Sequence, residues 1–136
     1  MKKATSSILI SGLLVLLASL TLLYSFIYVL PTVMEEYYNP VFRSSSYKTD
    51  WLFYVHPFVL CLSLYWFWHR FKPYFLGTII WRALQVALVY GIIAMLPVLW
   101  LTFSAIDISF IMVATWLAYG LLQAFIAGLV FAKMNP

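Results

Sequence analysis

The stretch that decides the fold is ILISGLLVLLASLTLLYSFIYVL, residues 8–30, which contains no charged side chain. At about 1.5 Å of rise per residue, a helix of about 20 apolar residues crosses the hydrocarbon core of a bilayer. Lys2 and Lys3 precede the run, as they would in a secretory leader. The apolar run nevertheless outlasts the roughly 7–15 residues of a leader's hydrophobic region, so a retained first membrane helix is expected.

Three further segments repeat the pattern. The expected spans are residues 7–31, 51–70, 75–101 and 107–132, with one sizeable outer loop at 32–50. The whole chain of 136 residues is 65% hydrophobic and 9% charged, with a mean hydropathy of +0.99. Soluble domains are about 45–50% apolar and about 25% charged, which excludes a water-soluble fold. Lipid admits only helices and closed barrels, and runs this long and continuous read as helices. The expected fold is therefore an all-α integral membrane protein: one domain of four transmembrane helices in an antiparallel bundle. Pro57 and Pro97 fall inside spans and are expected to bend them.

Charge orients the threading. With the N-terminus in the cytoplasm, that side holds Lys2, Lys3, Arg70, Lys72, Arg82 and Lys133, and the other only Arg43 and Lys48. This six-to-two split follows the positive-inside rule and puts both termini in the cytoplasm. The layout is similar to that of many small bacterial multi-pass proteins, and no residue pattern in it fixes a family. The expected location is the bacterial cytoplasmic (inner) membrane. Eight scattered basic residues form no patch of the kind nucleic acid requires. The run LYWFWHRFKPYF, residues 64–75, then reads as an anchor at headgroup depth, where aromatic rings and cations gather.

Membrane helices associate by close packing of small residues and by interhelical hydrogen bonds. Ala83, Ala87 and Gly91 recur at four-residue spacing on the third span, and Gly120, Ala124 and Gly128 on the fourth. Pairing Gly91 with Gly120, Ala87 with Ala124 and Ala83 with Gly128 predicts a tight hairpin of the third and fourth helices, turning near Ala105 and Ile106. The same small residues also suit self-association. Three largely polar stripes are expected to face inward: Ser11, Ala18, Thr21, Ser25 and Tyr28 on the first span; His56, Ser63 and Arg70 on the second; Thr115, Tyr119 and Gln123 on the fourth.

Few residues offer chemistry. Arg82 and Gln85 lie one turn apart and, with Gln123, Tyr65 and Tyr119, form the expected ligand or lipid-headgroup pocket, since a guanidinium donates two parallel hydrogen bonds to phosphate or carboxylate. The competing reading has Arg82 snorkelling to the headgroups. His56 with Asp107 is the candidate catalytic pair, a proton relay or base; Asp107 reads equally well as an N-cap of the fourth helix. His56 and His69 lie about 20 Å apart along one helix, and Cys61 stands alone, so no metal site and no cofactor are expected. The leading expectation is a protein without a catalytic motif that acts through membrane lipids, a homo-oligomer or a partner membrane protein, with no nucleic acid involved. A dimeric small-solute or ion transporter subunit and a membrane enzyme acting on a lipid or quinone-like substrate are the alternatives.

Overall fold

The computed structural model describes residues 2–42 and 49–135, of Lys2 the backbone alone. Arg43, Lys48 and the serines at 44–46, part of the expected outer loop, lie outside the described residues. Six α-helices follow one another: α1 (Lys2–Val29), α2 (Pro31–Glu36), α3 (Trp51–Phe71), α4 (Ile79–Tyr90), α5 (Leu96–Ala105) and α6 (Phe110–Met134), with no strand among the described residues. Four helical stretches are long and apolar enough to cross a membrane: Lys3–Val29, Trp51–Tyr74, Ile79–Ala105 and Phe110–Met134. The expected outer loop begins as a helix, α2, with Pro31 in its first turn, where a missing N–H costs least.

Pro97 shows why the third span is built in two pieces. A proline inside a helix deletes one hydrogen bond and collides with the preceding turn. Here a π-helical turn, Gly91–Met95, joins α4 to α5 and widens the coil just before the ring. Pro57 instead sits in the second turn of an uninterrupted α3 and is buried. Between α3 and α4 the chain passes through a 3₁₀ turn, Lys72–Tyr74, then Gly77 at φ +101°. Only glycine adopts that conformation cheaply. Thr78 caps α4 by accepting a hydrogen bond from the Trp81 N–H at 3.3 Å.

The core centres on α6, which packs against α1, α3 and α4. Its small residues permit the approach to α4: a Cβ at Gly128 would lie 3.0 Å from the Ala83 Cα. Ala87 and Ala124 are buried in the same cluster, with Val86, Ala127 and Phe131. Side chains fill the space at the other two glycines: a Cβ at Gly91 would meet Leu121, and one at Gly120 would meet Met95.

The face of α1 that turns inward differs from the expected stripe. Ser7, Ser11, Val15 and Ser19, four apart, are at most 1% exposed, whereas Thr21, Ser25 and Tyr28 are exposed. Thr21 and Ser25 donate to the carbonyls of Leu17 and Thr21, so lipid exposure leaves neither hydroxyl unbonded. His56, Ser63 and Arg70 on α3 are likewise exposed. The Thr115, Tyr119 and Gln123 stripe does face the interior, with Gln123 3% exposed.

Candidate functional site

The aromatic run at the end of α3 divides into two sets of rings. Trp66, Phe71 and Tyr74 are exposed, as an interfacial anchor requires, and the Arg70 guanidinium stands 5.9 Å from the Trp66 ring. Trp68 is 1% exposed and Phe75 8%, so these two belong to the core and not to the anchor. Helical spacing separates the sets: Leu60, Leu64 and Trp68, four apart, share the buried face. Trp68 stacks on Phe75 at 5.7 Å and lies 6.4 Å from Phe131. Its indole N–H donates to the Asn135 carbonyl at 3.1 Å, and the Asn135 amide donates to the Ser7 hydroxyl at 2.7 Å. The end of α6 is thereby clasped to both α1 and α3.

Arg82 completes this centre. Its guanidinium carbon lies 4.8 Å from the Trp68 ring centroid, a cation–π geometry. Its Nε is buried without a hydrogen-bond partner. No carboxylate pairs with Arg82 among the described residues. Gln85 turns back to donate to the Leu76 carbonyl at 3.1 Å, closing the turn before α4. Gln123 donates instead to Ser19 on α1, at 3.0 Å, and Tyr119 hydrogen-bonds the same serine. Tyr65 stacks on His69 at 6.3 Å and meets Phe131 edge-on at 5.5 Å.

The five residues of the expected pocket thus have four settings: Arg82 at Trp68, Gln85 at Leu76, Tyr65 at His69 and Phe131, and Gln123 with Tyr119 at Ser19. Gly120, Ala124 and Gly128 occupy the side of α6 that faces α4, and Gln123 is rotated from that line toward α1. Trp68, the residue that holds Arg82, escaped the sequence reading because every ring in the run looked interfacial. Its four-residue spacing from Leu64 was the available signal.

His56 and Asp107 share no hydrogen bond or ion pair among the described residues, and both side chains are exposed. Asp107 does not cap the fourth helix. The cap is Ser109, whose hydroxyl accepts from the Met112 N–H at 3.1 Å. Glu36 supplies the charge there: its carboxylate accepts from the Ser109 N–H at 3.1 Å. Bonds from the Ser109 side chain and backbone hold the Glu36 carboxyl below its ordinary value. A carboxylate at a helix N-terminus also suits the helix dipole. Beside it the Tyr37 hydroxyl accepts from the Trp116 indole N–H at 2.6 Å, and burial pushes that phenol's pKa up. No group of three metal-ligating side chains occurs among the described residues.

Two concave surfaces bear on ligands. A groove of about 280 Å³ runs between α3 and α4, lined by Leu60, Leu64, Phe67, Val89 and Ile93, and is almost wholly apolar. A smaller cavity lies among α1, α2 and α6. Among the described residues, four helices are long and apolar enough to span a bilayer, and the partly buried Arg82 has no carboxylate partner. No family model, no curated protein and no solved structure matches the chain.

Proposed function

We propose that this protein is a multi-pass protein of the bacterial cytoplasmic membrane that acts through lipid contacts, holding an anionic phospholipid of the cytoplasmic leaflet at Arg82. In this reading the four spans form an antiparallel bundle with a tight hairpin of the third and fourth, and both termini face the cytoplasm. The six-to-two charge split supports that orientation, and the close approach of Ala83 to Gly128 supports the hairpin.

The observation that carries the reading is the state of Arg82. A guanidinium is effectively always charged, and its buried Nε finds no acceptor in the described chain. All four acidic residues, Glu35, Glu36, Asp50 and Asp107, lie on the outer side in this threading. No counter-charge meets Arg82 among the described residues, and a lipid phosphate is the anion abundant at that depth. Trp68 holds the guanidinium in cation–π contact, and the planar fork of a guanidinium suits bidentate recognition of phosphate. The apolar groove between α3 and α4 gives an acyl chain a seat beside the headgroup.

Native mass spectrometry from a mild membrane extract tests this. The expected spectrum shows a phospholipid retained by the wild-type chain, phosphatidylglycerol in preference to phosphatidylethanolamine, with several-fold less retention in Arg82→Gln. Equal retention by the two proteins, or no preference for the anionic lipid, sinks the reading.

A further inference from the structure

The second cavity is of a different kind from the acyl groove. It has a volume of about 180 Å³, with walls from α1, α2, the first turn of α3 and α6. Phe26, Phe53 and Trp116 supply aromatic wall, Ser19, Thr115 and Tyr119 line one side, and Tyr37 closes another. No charged residue lines it. A cavity of about 150 Å³ lined only by apolar groups stays dry and binds benzene, so this one has room for a single six-membered ring and a substituent.

Hydrogen-bond accounting specifies the substituent. The Tyr37 oxygen already accepts from Trp116, which leaves its O–H with no acceptor among the described residues. Thr115 gives its proton to the Met112 carbonyl at 2.7 Å, leaving oxygen lone pairs. Ser19 gives its proton to the Val15 carbonyl at 2.6 Å and accepts from Gln123. The cavity therefore presents a free donor at Tyr37 and a free acceptor at Thr115. An acyl chain would offer neither group a hydrogen-bond partner, whereas an oxygen-bearing ring would. A cation or anion would find no counter-charge. Pockets that recognise small molecules combine mostly apolar, aromatic walls with a few convergent polar groups, as here.

We propose that this cavity binds the neutral oxygen-bearing ring of a small membrane-dissolved amphiphile, phenolic or quinone-like, with the ring oxygen accepting from Tyr37 and any ring hydroxyl donating to Thr115. The site is independent of Arg82 and of the lipid seated there.

Phenol and toluene are nearly the same size and differ in the hydroxyl, which makes them the probes. Thermal unfolding of the purified full-length protein in detergent is followed while each is titrated. Phenol is expected to raise the midpoint saturably, and toluene to bind about three- to tenfold more weakly, the worth of one hydrogen bond. Tyr37→Phe, which keeps the ring, is expected to bring phenol down to the toluene level, while Arg82→Gln leaves both curves unchanged. Val33→Phe, which fills the cavity from α2, is expected to abolish both. The proposal is overturned if phenol and toluene act alike on the wild-type protein, or if neither response saturates. It is equally overturned if a folded Val33→Phe variant responds as the wild type does.

Discussion

Gly128→Ala and Gly120→Ala make the same chemical change on the same stripe of α6, and the structure assigns them different costs. Both replace a helical glycine, so any gain in helix propensity, up to about 1 kcal/mol, is common to the pair and cancels in their difference. What remains is the new methyl group. At Gly128 it would sit 3.0 Å from the Ala83 Cα, 3.2 Å from its carbonyl oxygen and 3.3 Å from its Cβ. Comfortable separations are about 3.5–4.0 Å, and a backbone cannot step aside alone. The Ala83 backbone must give by a few tenths of an ångström, which strains the packing of its neighbours Val86 and Ala87 in the core. Overpacking of this kind costs about 1–3 kcal/mol.

At Gly120 the methyl would meet the Met95 Cε at 2.6 Å and Sδ at 2.9 Å. That clash is with the tip of the most adaptable apolar side chain, which can rotate away. Gly128→Ala should thus be less stable than Gly120→Ala by about 1–3 kcal/mol, roughly a 5- to 150-fold difference in the unfolding equilibrium. Reversible unfolding in mixed micelles, followed by tryptophan fluorescence, measures both. A difference below about 0.5 kcal/mol, or Gly120→Ala proving the worse, would refute the close backbone approach of α4 to α6.

The Glu36 bond to the start of α6 makes the outer end acid-sensitive. Its pKa is lowered in the folded state, so its contribution is fully present above the ordinary value near 4.5 and is lost as pH falls from there toward the lowered one. Exchange of the Ser109 amide hydrogen should accelerate, beyond its intrinsic pH dependence, across that acid window in the wild type and show no such step in Glu36→Gln; a step retained in Glu36→Gln would remove the latch. Gln123→Leu combined with Ser19→Ala in a double-mutant cycle should give a coupling of about 0.6 kcal/mol, typical of hydrogen bonds between membrane helices, and zero coupling would contradict the bond. Gly77→Ala forces a Cβ into a φ of +101° and toward the Trp81 ring at 3.0 Å, so it should cost about 1–2 kcal/mol in the same micelle assay, where a neutral result would argue against that turn.

The sequence by itself determined the solvent and the element type. Runs such as residues 8–30 are too apolar for water and too long for anything but helices in lipid, and no tertiary contact is needed for that conclusion. Gly128 and Ala83 were legible as well, because small side chains at four-residue spacing are where backbones come close. Which face of each helix points inward was decided only by the folded chain. Ser and Thr satisfy themselves on their own helix carbonyls, so a polar stripe carries little directional information: Ser7, Ser11 and Ser19 went inside, while Thr21 and Ser25 stayed out. Trp68 and Trp66 are two residues apart and identical in composition, and the turn of α3 alone made one a core residue beneath Arg82 and left the other exposed. The dispersal of Gln85, Gln123 and Tyr119 has the same cause. Residues far apart in a chain meet according to how helices are rotated about their own axes, and in lipid that rotation is set by packing between helices, not by apolarity.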